Sequence, residues 1–128
     1  MVSEIKETII KVVHIPKDSG QEPEISIASR LHESGYYALH SLIDETQIGE
    51  ALDQYPYCID HWLQWSADKK TITGWYFMER NEQRYFVGFF PDHFKGPGQL
   101  FSDVKIACAY YIKKEIEECR LRYLKAKK

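Results

Sequence analysis

The sequence predicts an α+β fold. One domain, residues 1–128, holds an antiparallel sheet of three to five strands centred on a hairpin at 71–90. The sheet packs against a long C-terminal helix at 102–126, with short helices between. Three observations predict this. Residues 71–79 and 84–90 alternate their side chains around a short polar break, the pattern of two paired strands. From Ser102 onward, Val104, Cys108, Ile112, Ile116, Cys119 and Tyr123 recur every three to four residues, the stripe of a helix that buries one side. At 128 residues, with 44% hydrophobic and 28% charged side chains, the chain can bury one core without metal or disulfide staples.

The elements follow in order. Residues 8–15, TIIKVVHI, are rich in β-branched side chains and stop at Pro16, so they read as a strand. Residues 16–24, PKDSGQEPE, read as a loop. Residues 25–43 fit two patterns. Pro23 can open a helix that Gly35 closes, while Ile25, Ile27, Ser29 and Leu31 also alternate. The reading taken is a short helix to about Ser34 and a strand from Tyr36 to Leu42.

Asp44 and Gln47 have the spacing of a capping box, ahead of a helical stripe of Ile48, Ala51, Leu52 and Tyr55. Pro56 ends that helix and opens another. The second helix sets Cys58, Ile59, Trp62 and Leu63 against Asp60, His61, Gln64 and Asp68, although an alternating strand also fits residues 57–66. In the hairpin, Thr73, Trp75 and Phe77 oppose Ile72, Tyr76 and Met78. On the second strand Tyr85, Val87 and Phe89 oppose Phe86 and Phe90. Both faces are apolar, so each needs a cover: this chain's helices, a partner, or a second copy in a homodimer. Gly74 and Gly88 leave room for something to approach the sheet closely. Residues 91–101 read as a loop. Ser102 suits the N-cap of the last helix, which at 25 residues would run about 37 Å.

Charge is unevenly distributed. Net charge is −2, but residues 31–68 contain no Lys or Arg and sum to −7. Residues 1–30 sum to −1 and residues 69–128 to +6. The two halves either neutralise each other in the fold or leave an acidic face that attracts a cationic partner. The partner-facing candidates are the carboxylates Asp44, Glu45, Glu50, Asp53, Asp60 and Asp68, with His61 and Trp65 beside them.

Catalytic chemistry finds little support. Cys58 and His61 are three residues apart, but no second Cys/His pair completes a four-ligand zinc site. Cys58, Cys108 and Cys119 sit among apolar neighbours, where thiols are inert. A loop bearing His93 and Lys95 ahead of Ser102 offers an alternative anion site at a helix N-terminus, though KGPG is not a phosphate-binding P-loop. Arg120, Arg122, Lys125, Lys127 and Lys128 make a basic helix end that offers a nucleic-acid alternative, against a sequence pI near 6.2. The N-terminus, MVSEIKETII, carries acidic residues where a signal peptide would be basic, with no small-residue cleavage site after it, and no apolar run is long enough to span a bilayer, so a cytoplasmic chain is expected.

The expectation is therefore a small protein-binding module, not an enzyme, with no metal or cofactor. In its sharpest form it is an immunity or inhibitor protein that covers a cationic, nuclease-type toxin with acidic side chains. The alternatives are a small-ligand or phosphate-binding domain using residues 92–102, and a nucleic-acid binder.

Overall fold

The computed structural model describes residues 2–21, 26–68, 74–80, 84–90 and 98–126. Among these are seven α-helices and a three-stranded antiparallel sheet, and the long C-terminal helix packs on that sheet, so the α+β expectation holds. Among the described residues no helix is long and apolar enough to cross a membrane.

The N-terminal region departs from expectation. Helix α1 spans Val2–Val13, where residues 8–15 read as a strand. An eight-residue run of Ile and Val fits either period. The longer window decides: Thr8, Ile9, Val12 and Val13 are buried with Ile5 half-buried, while Lys6, Glu7 and Lys11 are exposed. Burial of one helical stripe overrides the β-propensity of single residues. Helix α2 spans Ile15–Gln21 and replaces most of the expected loop at 16–24. Pro16 is no obstacle, because in a first turn its missing N–H would have had no partner. Residues 22–24 lie outside the described residues.

Helix α3 spans Ile27–Ser34. Ser26 caps it by accepting from the Ser29 amide, and Gly35, at φ 88°, ends it in the left-handed conformation. Pro23, expected to open this helix, lies outside the described residues. The strand expected at 36–42 is instead helix α4, Tyr36–Leu39, followed by a 3₁₀ turn over His40–Leu42. Tyr36 and Ile43 are buried and Leu39 packs against the core, a spacing of three and four that belongs to a helix.

Helix α5, Glu45–Gln54, has the expected capping box. The Gln47 amide donates to Asp44 Oδ1 at 2.9 Å, and the Asp44 amide donates to Gln47 Oε1 at 2.8 Å. Helix α6, Tyr57–Ala67, follows across Pro56, and its buried residues Cys58, Trp62 and Ser66 settle residues 57–66 as helical.

Strands β1 (Gly74–Glu79), β2 (Tyr85–Phe90) and β3 (Gln99–Phe101) lie in the order β1-β2-β3. β3 falls where residues 91–101 read as a loop; residues 91–97 lie outside the described residues. Helix α7, Val104–Ala126, is about 34 Å long. Its cap is Asp103, not the expected Ser102: Asp103 Oδ1 accepts from the amides of Lys105 (2.8 Å) and Ile106 (3.1 Å).

The register Trp75↔Phe89 and Phe77↔Val87 puts four buried side chains on one face, against α6 and α7. Phe77 stacks on Tyr111 at 5.6 Å, and its amide donates to the buried Ser66 hydroxyl at 2.8 Å. Burying a side chain of this size stabilises by about 2–3 kcal/mol. The Trp62 indole donates to the Val13 carbonyl at 3.0 Å and ties α6 to α1. On the opposite face Tyr76, Met78 and Phe86 are half-buried and Leu100 is 57% exposed. The close approach that Gly88 permits is made by this chain itself. The Phe86 ring lies over Gly88 and Gly98, where an added Cβ would meet it at 2.6 Å. The Arg80 guanidinium sits 4.7 Å from the centre of the same ring.

Candidate functional site

The acidic stretch folds onto α5 and α6, and every one of its six candidate carboxylates is solvent-exposed: Asp44, Glu45, Glu50, Asp53, Asp60 and Asp68. α5 runs antiparallel to α7, in a register the contacts reveal. Asp53 takes an ion pair from Lys105 at 3.1 Å. One turn along, Gly49 faces Ala109, with an added Cβ falling 4.0 Å from the alanine methyl. One further turn along, Glu45 and Asp44 are close enough to act electrostatically on Lys113. Each step moves four residues along both helices, so small residues sit at the contact and acid meets base at either end.

The charge asymmetry is thus partly neutralised within the fold, and partly not. Among the described residues none pairs with Glu45, Glu50 or Asp60 as an ion pair or hydrogen bond. Asp68 accepts from Gln64 on its own helix, at 2.9 Å. Glu50 stands on a ridge between two grooves. On one side a groove of about 280 Å³ runs between α1 and α5 over Ile5, Ile9 and Ala51. On the other, a groove of about 360 Å³ runs between α5 and α7. Its floor is Gly49, Ala109 and Ile106, and its rim is Glu45, Glu50, Asp53 and Lys105. Ile106 is 53% exposed there.

Next to this surface, Tyr57 opens α6 and is 44% exposed. His14 Nδ1 donates to the Ile10 carbonyl at 2.7 Å, which leaves Nε2 to accept from the Tyr57 hydroxyl at 2.8 Å. A hydroxyl pinned in this way fixes an exposed aromatic side chain one turn of α6 before Asp60, with the Lys17 ammonium 5.4 Å from its ring centre. His61 is half-buried, with its ring 5.8 Å from Tyr57. Trp65 turns inward instead. Its indole donates to the buried Glu115 at 3.1 Å and meets Trp62 edge to face.

The other candidate residues are placed as follows. His93 and Lys95 lie outside the described residues, and Ser102 is exposed without capping α7. At the basic helix end, Arg120 is bound to Glu117 by two hydrogen bonds and Arg122 pairs with Glu118, while Lys127 and Lys128 lie outside the described residues. Burial pushes the Cys58 thiol up to about 11 and holds Cys108 well above its ordinary value, so neither is a thiolate near neutral pH.

One polar cluster has no signature in the sequence. The buried Tyr36 hydroxyl donates to Glu117 and accepts from Lys113 at 2.9 Å; Lys113 also donates to the His40 carbonyl at 2.9 Å. Burial and the neighbouring Glu117 carboxylate drive the Tyr36 phenol well above its ordinary value, and burial lowers Lys113. Burial alone would raise Glu117. Hydrogen bonds from Arg120 and Tyr36 and the charges of Lys113 and Arg120 outweigh it and hold the carboxyl below its ordinary value. The members of this cluster satisfy one another, and its role is to lock α4 onto α7.

Lys105, Ile106, Gly49 and Ala109 were also missed by the sequence reading. Two signals mark them: a glycine inside a helical pattern, and an isoleucine off the buried stripe of α7. No protein-family model, curated protein or solved structure matches this chain.

Proposed function

We propose that this chain is a protein-binding module whose acidic face, on α5 and α6, docks a cationic protein. The observation that carries this reading is that Glu45, Glu50 and Asp60 stand exposed and without an ion-pair partner among the described residues, although α7 supplies cations close by. Unpaired exposed carboxylates raise the local negative potential, steer a cationic protein into encounter and disfavour acidic competitors. Tyr57, held by His14, supplies an ordered, exposed aromatic side chain near Asp60 on α6. The sharpest form of the proposal is an immunity-type inhibitor. A nuclease-type toxin holds its cations where nucleic-acid phosphates bind, and a rigid acidic face can take their place.

The test is affinity purification of the tagged full chain from its source cell, with each retained protein identified and its affinity measured against salt. The reading predicts a retained protein with a cationic surface, released by salt. It also predicts that the Asp53→Lys, Asp60→Lys double variant binds that protein at least a hundredfold more weakly, with a flatter salt dependence. A retained partner that binds the double variant as tightly as the wild type, with the same salt dependence, overturns it.

A further inference from the structure

The groove between α5 and α7 combines three features. Its floor is built from small residues, Gly49 and Ala109, where α5 and α7 approach each other closely. Ile106 lines it while 53% exposed, an apolar surface that the free chain leaves in water. One carboxylate of its rim, Asp53, is already held by a cation of this chain, Lys105 at 3.1 Å, while Glu45 and Glu50 are not.

We propose, building on the acidic-face reading above, that this groove seats a cationic amphipathic helix of the protein partner. One apolar side chain of that helix lies on Ile106, Gly49 and Ala109, and a Lys or Arg one turn away displaces Lys105 from Asp53. Charge complementarity selects the occupant: the rim carries three carboxylates and one lysine. The walls select its secondary structure. They are helices whose backbone amides are already paired within α5 and α7, so an extended segment would find no ladder to join, whereas a helix satisfies its own backbone. Lys105 acts as a built-in competitor. In the free chain it occupies the site that the partner's cation takes in the complex.

The probe is a capped peptide of about 18 residues built from Ala and Lys around a central Leu, long enough to populate a helix. It is titrated into the full chain by calorimetry. The inference predicts that Ile106→Gln weakens binding about tenfold without changing the salt dependence. A peptide with its central Leu replaced by Ala should lose a similar factor, and the two losses should not multiply, because both remove one contact. Lys105→Gln should tighten binding severalfold by freeing Asp53. Equal binding by wild type and Ile106→Gln overturns the inference. If the Asp53→Lys, Asp60→Lys variant still loses the peptide in that case, the acidic-face reading survives without the groove. If neither variant changes affinity, both fail. Sedimentation of the free chain adds one outcome: self-association that Ile106→Gln abolishes assigns the groove to a second copy and also overturns the proposal.

Discussion

The two ends of α7 handle charge in opposite ways. Toward its C-terminus, Lys113, Glu117 and Arg120 meet Tyr36 and the His40 carbonyl in a cluster where each charge has a partner and burial is substantial. Toward its N-terminus, Lys105 answers Asp53 of α5 while Glu50 has no ion-pair partner among the described residues, and Ile106 stays exposed nearby. A closed polar cluster holds a fold together; an open one costs little stability and leaves attraction unused. The closed end is structural by its own contacts, and the open end is where the proposed recognition would act.

The largest expected effect comes from breaking the closed end. Glu117→Ala removes the acceptor of Arg120 and of the buried Tyr36 hydroxyl and a counter-charge of Lys113, and should lower unfolding free energy by about 2–3 kcal/mol in urea titrations. The same cluster predicts pH dependence on both sides. Glu117 has a folded-state pKa below its ordinary 4.5, so its contribution is present above that value and is lost as pH falls through the depressed one. The stability gap between wild type and Glu117→Gln should therefore shrink between pH 7 and the acid range. Tyr36 has a folded-state pKa raised above its ordinary 10.0, so its contribution is present below that value and is lost as pH rises beyond it. Tyr36→Phe should lose less stability than wild type on the alkaline side, read from the same titrations.

The open end predicts smaller effects, one of opposite sign. Gly49→Ala adds a methyl that meets Ala109 at ordinary contact distance and removes a helix-interior glycine, so it should stabilise the chain by about 0.5–1 kcal/mol. A loss in thermal unfolding would mean that α5 and α7 pack more tightly than the register indicates. Smallest of all, Glu50→Gln should change stability by less than about 0.5 kcal/mol, because an exposed carboxylate without a partner holds nothing in place.

The same contrast explains what could be read in advance. The aromatic hairpin, the Asp44 capping box and the stripe of α7 announce themselves locally, because each is a period or a pair within a few residues. Residues 8–15 do not: Ile9, Val12 and Val13 satisfy a strand and a helix equally until the burial of Thr8 and the half-burial of Ile5 are known. Tyr36 looked like part of a strand because its partners, Lys113 and Glu117, are more than seventy residues away. The acidic residues of the candidate site were legible as a run without Lys or Arg. Whether that run was neutralised was not, since Lys105 and Lys113 arrive from the far end of the chain. Trp65 shows the limit of composition: an aromatic beside acidic residues suggests an interface, yet its indole is committed to Glu115.

The central claim is that the unpaired carboxylates of α5 and α6, and not the paired ones of α7, carry recognition. Its most direct test is the salt dependence of affinity for the cationic partner protein in two variants, one that removes two exposed carboxylates of α5 and α6 and one that removes a paired carboxylate of α7. The account predicts that Glu50→Gln with Asp60→Asn weakens binding and flattens the salt dependence while stability stays near wild type. It predicts that Glu117→Gln lowers stability and leaves both affinity and salt dependence unchanged. The reverse pattern, with binding lost in Glu117→Gln and kept in the Glu50, Asp60 variant, would contradict it.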